Sequence, residues 1–99
     1  MRLTPKQRQF LRGLAHPLSP VVRVGKAGLT ASVVAEAKRS LEAHELIKVR
    51  IETDDSETRQ ELADKLAGET EANVAGVIGK TAILYRERAE NPRIKVPEE

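Results

Sequence analysis

The sequence predicts an α/β domain in which one helix is followed by the order β-α-β-α-β-β. Three segments repeat apolar residues at helical spacing, and four short runs rich in Val, Ile and Leu lie between turn-forming residues. A helix separates the first two strands, so we expect these strands to be parallel, with a right-handed crossover. The 99 residues suffice for one domain with one modest core. The expected architecture is therefore a small α/β sandwich.

The first helix is expected to begin after Thr4, whose hydroxyl can cap it, with Pro5 in the first turn and Gln7 three residues after the cap. Pro17 stops it. One side is apolar and is expected to face the core, since it carries Phe10, Leu11 and Leu14. The opposite side is expected to form an outer basic surface without acids, made of Arg8 and Arg12 with Lys6 on the flank.

A short strand over Val21–Val24 ends at the turn Gly25-Lys26-Ala27-Gly28, and Thr30 caps a second helix that runs to about residue 43. Glycine reaches positive φ at low cost and lets a partner approach the main chain. Free amides in the turn and at the helix N-terminus, together with Lys26, form an anion site of the kind that holds phosphate. The alternative is a tight connection in which glycine serves steric needs alone.

The clearest strand spans residues 46–53, where apolar residues facing the core alternate with polar ones facing water: Ile47, Val49 and Ile51 against Lys48, Arg50 and Glu52. Asp54-Asp55-Ser56 then forms a turn and a cap. The third helix is expected to run to about Ala67, with Gly68 near its end either as the helix stop or within a loose last turn. Its outer side is acidic.

Two further strands, Val74–Ile78 and Thr81–Arg86, are joined at Gly79-Lys80, which is typical of a hairpin. The second carries apolar residues on both faces, so we expect a central strand that is covered twice. Residues 87–99 are charged, contain two prolines and are expected to form a flexible tail. Ile94 and Val96 could instead pack back onto the sheet.

Charge is distributed unevenly along the chain. Residues 1–50 contain ten Lys or Arg and three Glu, whereas residues 51–99 contain seven basic and twelve acidic residues. The first acid is Glu36. This asymmetry indicates a polyanion partner for one side of the molecule. The alternative is a chance fluctuation on a solvated surface.

The sequence excludes several classes of function. Gly79-Lys80-Thr81 imitates the end of a P-loop, but Val74 stands where that motif needs its first glycine, and a strand follows. His16 and His44 lack a second ligand at metal-binding spacing, and the chain has no cysteine, so we expect no metal. No nucleophile motif is present. We therefore expect neither an enzyme nor a cofactor.

Aromatic residues are scarce, since the chain contains only Phe10 and Tyr85. Base-stacking platforms of the RRM type need exposed rings on a sheet, which excludes that mode of RNA binding. Any contact with nucleic acid is then expected to rest on the sugar-phosphate backbone and on shape. The Gly-x-x-Gly loop of KH domains clamps the backbone in this way, although that loop joins two helices and this one follows a strand.

Four ordered motifs carry a resemblance to a known family: Leu14-Ala15-His16-Pro17-Leu18, Val24-Gly25-Lys26-Ala27-Gly28-Leu29-Thr30, His44-Glu45-Leu46-Ile47-Lys48-Val49, and Ile78-Gly79-Lys80-Thr81 with Leu84-Tyr85-Arg86. In these motifs the chain resembles the bacterial YhbY proteins, which are stand-alone CRM domains. The resemblance covers about residues 2–86. It implies a fold similar to the C-terminal domain of translation initiation factor three, a two-layer sandwich with a four-stranded mixed sheet in order 1-2-4-3. Strand 4 would be antiparallel to the others.

The resemblance also implies RNA binding. Bacterial members associate with precursors of the large ribosomal subunit, and plant organellar relatives promote group II intron splicing. We expect residues 1–86 to form the RNA-binding domain and residues 87–99 the tail. The expected protein is a cytoplasmic monomer with no membrane or small-molecule partner, and it acts on ribosomal RNA during large-subunit assembly. The expected RNA-binding residues are Lys6, Arg8, Arg12, Arg23, Gly25, Lys26, Ala27, Gly28 and Lys80.

A different class of function remains open. The exposed sheet face with Lys48 and Arg50 could dock a ribosomal protein or a helicase. In that case the protein would be an interaction module, and its partner would stay bound after nuclease treatment.

Overall fold

The chain folds in the order that the sequence predicts. The computed structural model describes residues 2–98. Its elements are α1 (Pro5–Ala15), β1 (Pro20–Val24), α2 (Ala31–His44), β2 (Leu46–Ile51), α3 (Ser56–Thr70), β3 (Asn73–Ile78) and β4 (Thr81–Tyr85). Most boundaries lie within one or two residues of their predicted positions. The exception is α3, which ends three residues after its predicted end.

The four strands form one mixed sheet in the order β1-β2-β4-β3. β1 pairs with β2 in parallel, and β4 is antiparallel to both of its neighbours. The order and orientation implied by the family resemblance are therefore confirmed. Tyr85 of β4 pairs with Leu46 on one side and Asn73 on the other, which marks one end of the sheet. Thr81, at the other end of β4, pairs with Arg50 and Ile78.

One face of the sheet is covered by α2 and α3. Inward side chains of these helices, such as Leu41 and Leu66, are fully buried against Val49 of β2 and Leu84 of β4. Completely burying a side chain of this size stabilises the fold by roughly 1.5–3 kcal/mol. This cluster is the main hydrophobic core.

The second face is covered at one end only. α1 and the C-terminal segment (residues 87–98) lie over the end marked by Tyr85. There Leu11, Ile83 and Tyr85 form a second buried cluster. β4 is therefore buried on both sides, as its sequence predicts. The other half of this face, toward Thr81, carries exposed and half-buried side chains. We call that half the open face.

The buried side of α1 differs from the prediction. Leu11 is fully buried, but Phe10 and Leu14 are 37% and 42% exposed. Gln7 and Ala15 take the inward positions instead. Gln7 can be buried because its side-chain amide is satisfied at both ends: Oε1 accepts from Thr4 N at 2.9 Å, and Nε2 donates to the Pro97 carbonyl at 2.7 Å. The C-terminal segment thus contacts the buried side of α1.

Of the two expected roles of Gly68, α3 shows the second, a position in the last turn of the helix. The helix runs to Thr70. The buried Thr70 hydroxyl donates to the carbonyl of Leu66 at 2.8 Å. Glu71 then adopts the left-handed conformation (φ 59°), and the Ala72 amide donates to the Ala67 carbonyl. Backbone hydrogen bonds of this kind end a helix without glycine at the cap.

The C-terminal segment is held by one buried carboxylate. Glu45, only 1% exposed, accepts hydrogen bonds from the amides of Arg88 (2.9 Å), Arg93 (2.7 Å) and Ile94 (3.1 Å). Ile94 and Val96 pack against the second cluster. The sequence alone favoured a loose segment here, whereas the structure gives it fixed contacts. Glu45 holds a positive φ of 64° to make them, which is a strained conformation for a residue with a side chain.

We predict that Glu45→Gln lowers the free energy of unfolding by about 1–3 kcal/mol, because an amide can accept at one end only and leaves buried donors unsatisfied. Urea denaturation measures the loss. Amide hydrogen exchange should rise at Arg88, Arg93 and Ile94. The control is Glu42→Gln, an exposed carboxylate whose ion pair with Arg86 is long (3.8 Å). Equal destabilisation by both substitutions would contradict the assignment.

The same carboxylate predicts a pH dependence. Burial alone would raise the pKa of Glu45, but the three amide hydrogen bonds and the charge of Arg88 outweigh it and lower the pKa below its ordinary value. A lowered folded-state pKa stabilises the fold above the unfolded-state pKa, and this contribution disappears as pH falls through the folded-state value. The stability difference between the wild type and Glu45→Gln should therefore shrink in acid.

Candidate functional site

The turn between β1 and α2 forms an open corner. Gly25, Lys26 and Ala27 are exposed and Gly28 is half-buried. The Gly28 amide donates to the Gly25 carbonyl at 3.0 Å, and Gly28 has φ +76°, so the turn needs a left-handed residue at this position. A Cβ at either glycine would meet no atom within 4 Å. The corner is therefore accessible to a partner from outside.

Several main-chain donors of this corner are free. The amides of Lys26 and Ala27 make no hydrogen bond to any other part of residues 2–98. Thr30 caps α2 by accepting from the Val33 amide at 3.1 Å. That cap leaves the first two helical amides directed outward beside the turn. Free amides at a turn and a helix N-terminus attract anions, and Lys26 adds a full positive charge.

The sheet brings further cations to this corner. Arg23 of β1 lies directly opposite Arg50 of β2. Both pair with the carboxylate of Glu52: Arg50 Nε lies 3.1 Å from Oε1 and Arg23 Nε lies 3.7 Å from Oε2. The Glu52 amide donates to the carbonyl of Val24, the last residue before the corner. No local pattern indicates the Glu52 contact, because it depends on the parallel register of the two strands.

Lys80 lies at the same edge of the sheet. It occupies the β3–β4 turn, and its carbonyl accepts from the Ile51 amide at 2.7 Å, which fixes the turn to the end of β2. Its ammonium pairs with Asp54 at 2.8 Å. The Gly25–Gly28 corner, the end of β2 and the Lys80 turn therefore lie next to one another.

Both acids at this edge respond to the cations. The hydrogen bond from Arg50, followed by the charges of Arg50, Arg23 and Lys80, lowers the pKa of Glu52 below its ordinary value. The hydrogen bond and charge of Lys80 do the same for Asp54. Both carboxylates are thus ionised at neutral pH. An anionic ligand would compete with them for Arg23, Arg50 and Lys80.

The basic residues of α1 are divided between two places. Arg12 reaches the edge strand β3, where Nη1 donates to the Ala75 carbonyl at 3.0 Å. Arg8 donates to the Leu3 carbonyl at 2.8 Å, and Leu3 belongs to the cluster at the Tyr85 end. Lys6 lies in the first turn of α1 and is exposed. The structure therefore groups Arg23, Lys26 and Lys80 at the corner, places Arg12 beside the open face, and leaves Lys6 and Arg8 at the opposite end.

Neither a metal site nor a membrane span is found in the described part of the chain. Residues 2–98 contain no group of three or more His, Cys, Asp or Glu side chains that could hold a metal ion. Within the same residues, no helix has both the length and the apolar character needed to cross a membrane.

The fold and the glycine corner define the class of protein. Residues 3–86 match the CRS1 / YhbY (CRM) domain, and the chain belongs to this family. The chain is 45% identical over 95 residues to an RNA-binding protein of Haemophilus influenzae, covering 96% of this chain and 95% of that protein. It is 38% identical to "Probable RNA-binding protein YqeI" of Bacillus subtilis, covering 96% and 99%.

A solved structure has the same architecture. The solution structure of SAV1595 from Staphylococcus aureus, a candidate RNA-binding protein, matches with a TM-score of 0.87 at 37% identity. The match covers 96% of this chain and 99% of that one. The family and the fold expected from the four motifs are therefore confirmed.

The two glycines of the corner should tolerate substitution differently. Gly28→Ala places a side chain at φ +76° and should lower the free energy of unfolding by about 1–2 kcal/mol. Gly25→Ala, which has ordinary φ and free space, should change it by less than about 0.5 kcal/mol. Urea denaturation of both variants measures the difference. Similar losses at both positions would contradict the turn geometry.

Proposed function

We propose that this protein binds ribosomal RNA in precursors of the large ribosomal subunit and assists their assembly. The observation that carries the proposal is the open corner Gly25–Gly28, whose free amides adjoin Lys26 and which lies at the same end of the sheet as Arg23 and Lys80. This arrangement fits a sugar-phosphate strand, since it offers donors and positive charge without a closed pocket. The names of the relatives as RNA-binding proteins support the same partner.

The proposed division of labour follows the geometry. Gly25, Ala27 and Gly28 give the strand access to the main chain, and Lys26 and the amides hold a phosphate. Arg23 and Lys80 extend the positive surface along the sheet edge, and Arg12 extends it toward the open face. Lys6 and Arg8 contact RNA only if the strand continues around the molecule to the Tyr85 end. Residues 1–86 form the binding domain and residues 87–99 its C-terminal extension.

The protein acts as a binder and not as an enzyme in this proposal. It works as a cytoplasmic monomer without a cofactor or a small-molecule substrate. Docking of a ribosomal protein or a helicase on the open face is the competing function. Nuclease treatment separates the two, because a directly bound protein would remain attached after the RNA is degraded.

Lys26→Glu should weaken binding to single-stranded and structured ribosomal RNA fragments by about 5- to 20-fold, since it removes one phosphate contact and adds repulsion. Fluorescence anisotropy over a salt series measures it. With about four to six phosphates contacted, the wild-type log–log slope should be near −3 to −5. The matched control is Lys65→Glu, the same charge change on the exposed side of α3. A salt-independent affinity, or an equal effect at Lys65, would overturn the proposal.

Glu52→Gln should strengthen RNA binding by about 3- to 10-fold at low salt, because it frees Arg50 and Arg23 for phosphate and removes a competing negative charge. Glu61→Gln on the outer side of α3 gives the comparison. In the same anisotropy assay Glu61→Gln should leave affinity nearly unchanged. Weaker binding after Glu52→Gln would show that this carboxylate organises the site and does not compete with the ligand.

A further inference from the structure

A small cavity lies between the C-terminal end of α1 and the open face. Its volume is about 200 Å³, and its lining residues are Arg12, His16, Lys48, Ile78, Thr81 and Ile83. The lining combines two apolar side chains, Ile78 and Ile83, with the cations Arg12 and Lys48. The volume is below the roughly 300–1,000 Å³ of pockets for drug-sized ligands, so the cavity suits one flat ring system.

Arg12 is held at this cavity by shape and by hydrogen bonding. A Cβ built at Gly76 would lie 2.7 Å from Arg12 Cδ, so the arginine stem packs onto the glycine and would have to shift if this position carried a side chain. The same side chain donates from Nη1 to the Ala75 carbonyl at 3.0 Å. The guanidinium is therefore fixed before any ligand arrives.

Lys48 is held in a similar way. Its ammonium donates to the carbonyls of His16 (3.1 Å) and Leu18 (2.9 Å), just beyond the end of α1. Two of its three protons are thus already used. Arg12 and Lys48 both donate hydrogen bonds to main-chain carbonyls. They therefore have fewer free N–H groups for a phosphate than Lys26, whose side chain is exposed.

The apolar part of the lining has the opposite character. Ile78 is 60% exposed, more than any other large apolar side chain among residues 2–98. Ile83, on the neighbouring strand, is buried and belongs to the second cluster. An apolar wall beside a guanidinium can receive a nucleobase, because unpaired bases in RNA stack on arginine planes and flipped bases pack between aromatic or apolar side chains.

We propose that this cavity receives one unpaired base of the bound RNA. The proposal rests on the proposed function and adds to it a preference for single-stranded RNA. Thr81 lines the cavity and pairs across the sheet with Arg50, which pairs in turn with Arg23 beside the Gly25–Gly28 corner. A single strand can therefore lay its phosphates on the corner and the two arginines and insert a base beyond them. The Thr81 hydroxyl is available to the edge of that base.

The test compares two probes of equal charge: a ten-nucleotide single-stranded RNA and the same ribose-phosphate chain without bases. Wild-type protein should bind the base-bearing RNA about 5- to 30-fold more tightly. Ile78→Ser and Arg12→Gln should each reduce this ratio at least threefold. Lys26→Glu should weaken both probes alike and leave the ratio unchanged.

The matched control for Ile78→Ser is Val21→Ser, which removes another exposed apolar side chain (46% exposed) from a strand outside the cavity. It should leave the ratio unchanged. Thermal midpoints show whether each variant is folded. If Arg12→Gln does not fold, the affinity ratio of Ile78→Ser alone tests the base pocket. A wild-type ratio near one, with RNA binding intact, overturns the base pocket and leaves the proposed function standing. Failure to bind either probe or any ribosomal RNA fragment overturns both.

Discussion

The parallel pairing of β1 with β2 is the constraint from which the rest of the molecule follows. Parallel neighbours require a crossover, so α2 has to begin at the sheet edge where β1 ends. That requirement places the glycine corner beside the end of β2. It also sets Arg23 opposite Arg50 and leaves Glu52 within reach of both. An antiparallel pairing would have replaced the corner with a hairpin and dispersed the cations.

The basic side chains of the open face repel one another and destabilise the sheet, and nearby contacts partly offset this repulsion. Like charges directly opposite each other on neighbouring strands destabilise a sheet. Glu52 reduces the repulsion between Arg23 and Arg50, and the carbonyls at the end of α1 take up the ammonium of Lys48. The apolar residues of the opposite face supply the stability that allows this face to remain charged. Binding and folding thus use opposite sides of the same strands.

Local patterns in the sequence predicted most of the elements. Alternation marked β2, the two-sided apolar pattern marked β4 as central, and the glycine turn marked the corner. The strand order came from the resemblance of four motifs.

The predictions that failed concern contacts between residues far apart in the sequence. Phe10 and Leu14 were expected inward, but Gln7 is buried by its bond to Pro97. A glutamate before a strand is usually exposed, so nothing indicated that Glu45 anchors residues 88–94. The Arg12 contact with Gly76 spans 64 positions and leaves no local signal.

The fit of Arg12 over Gly76 has a consequence for the evolution of this family. The two positions pack against each other, because the arginine stem lies where a Cβ at Gly76 would stand. A relative that acquires alanine or a larger residue at the strand position has to move the arginine side chain, shorten it or tilt the helix away from the sheet. Substitutions at the two positions should therefore tend to occur together in an alignment of homologues.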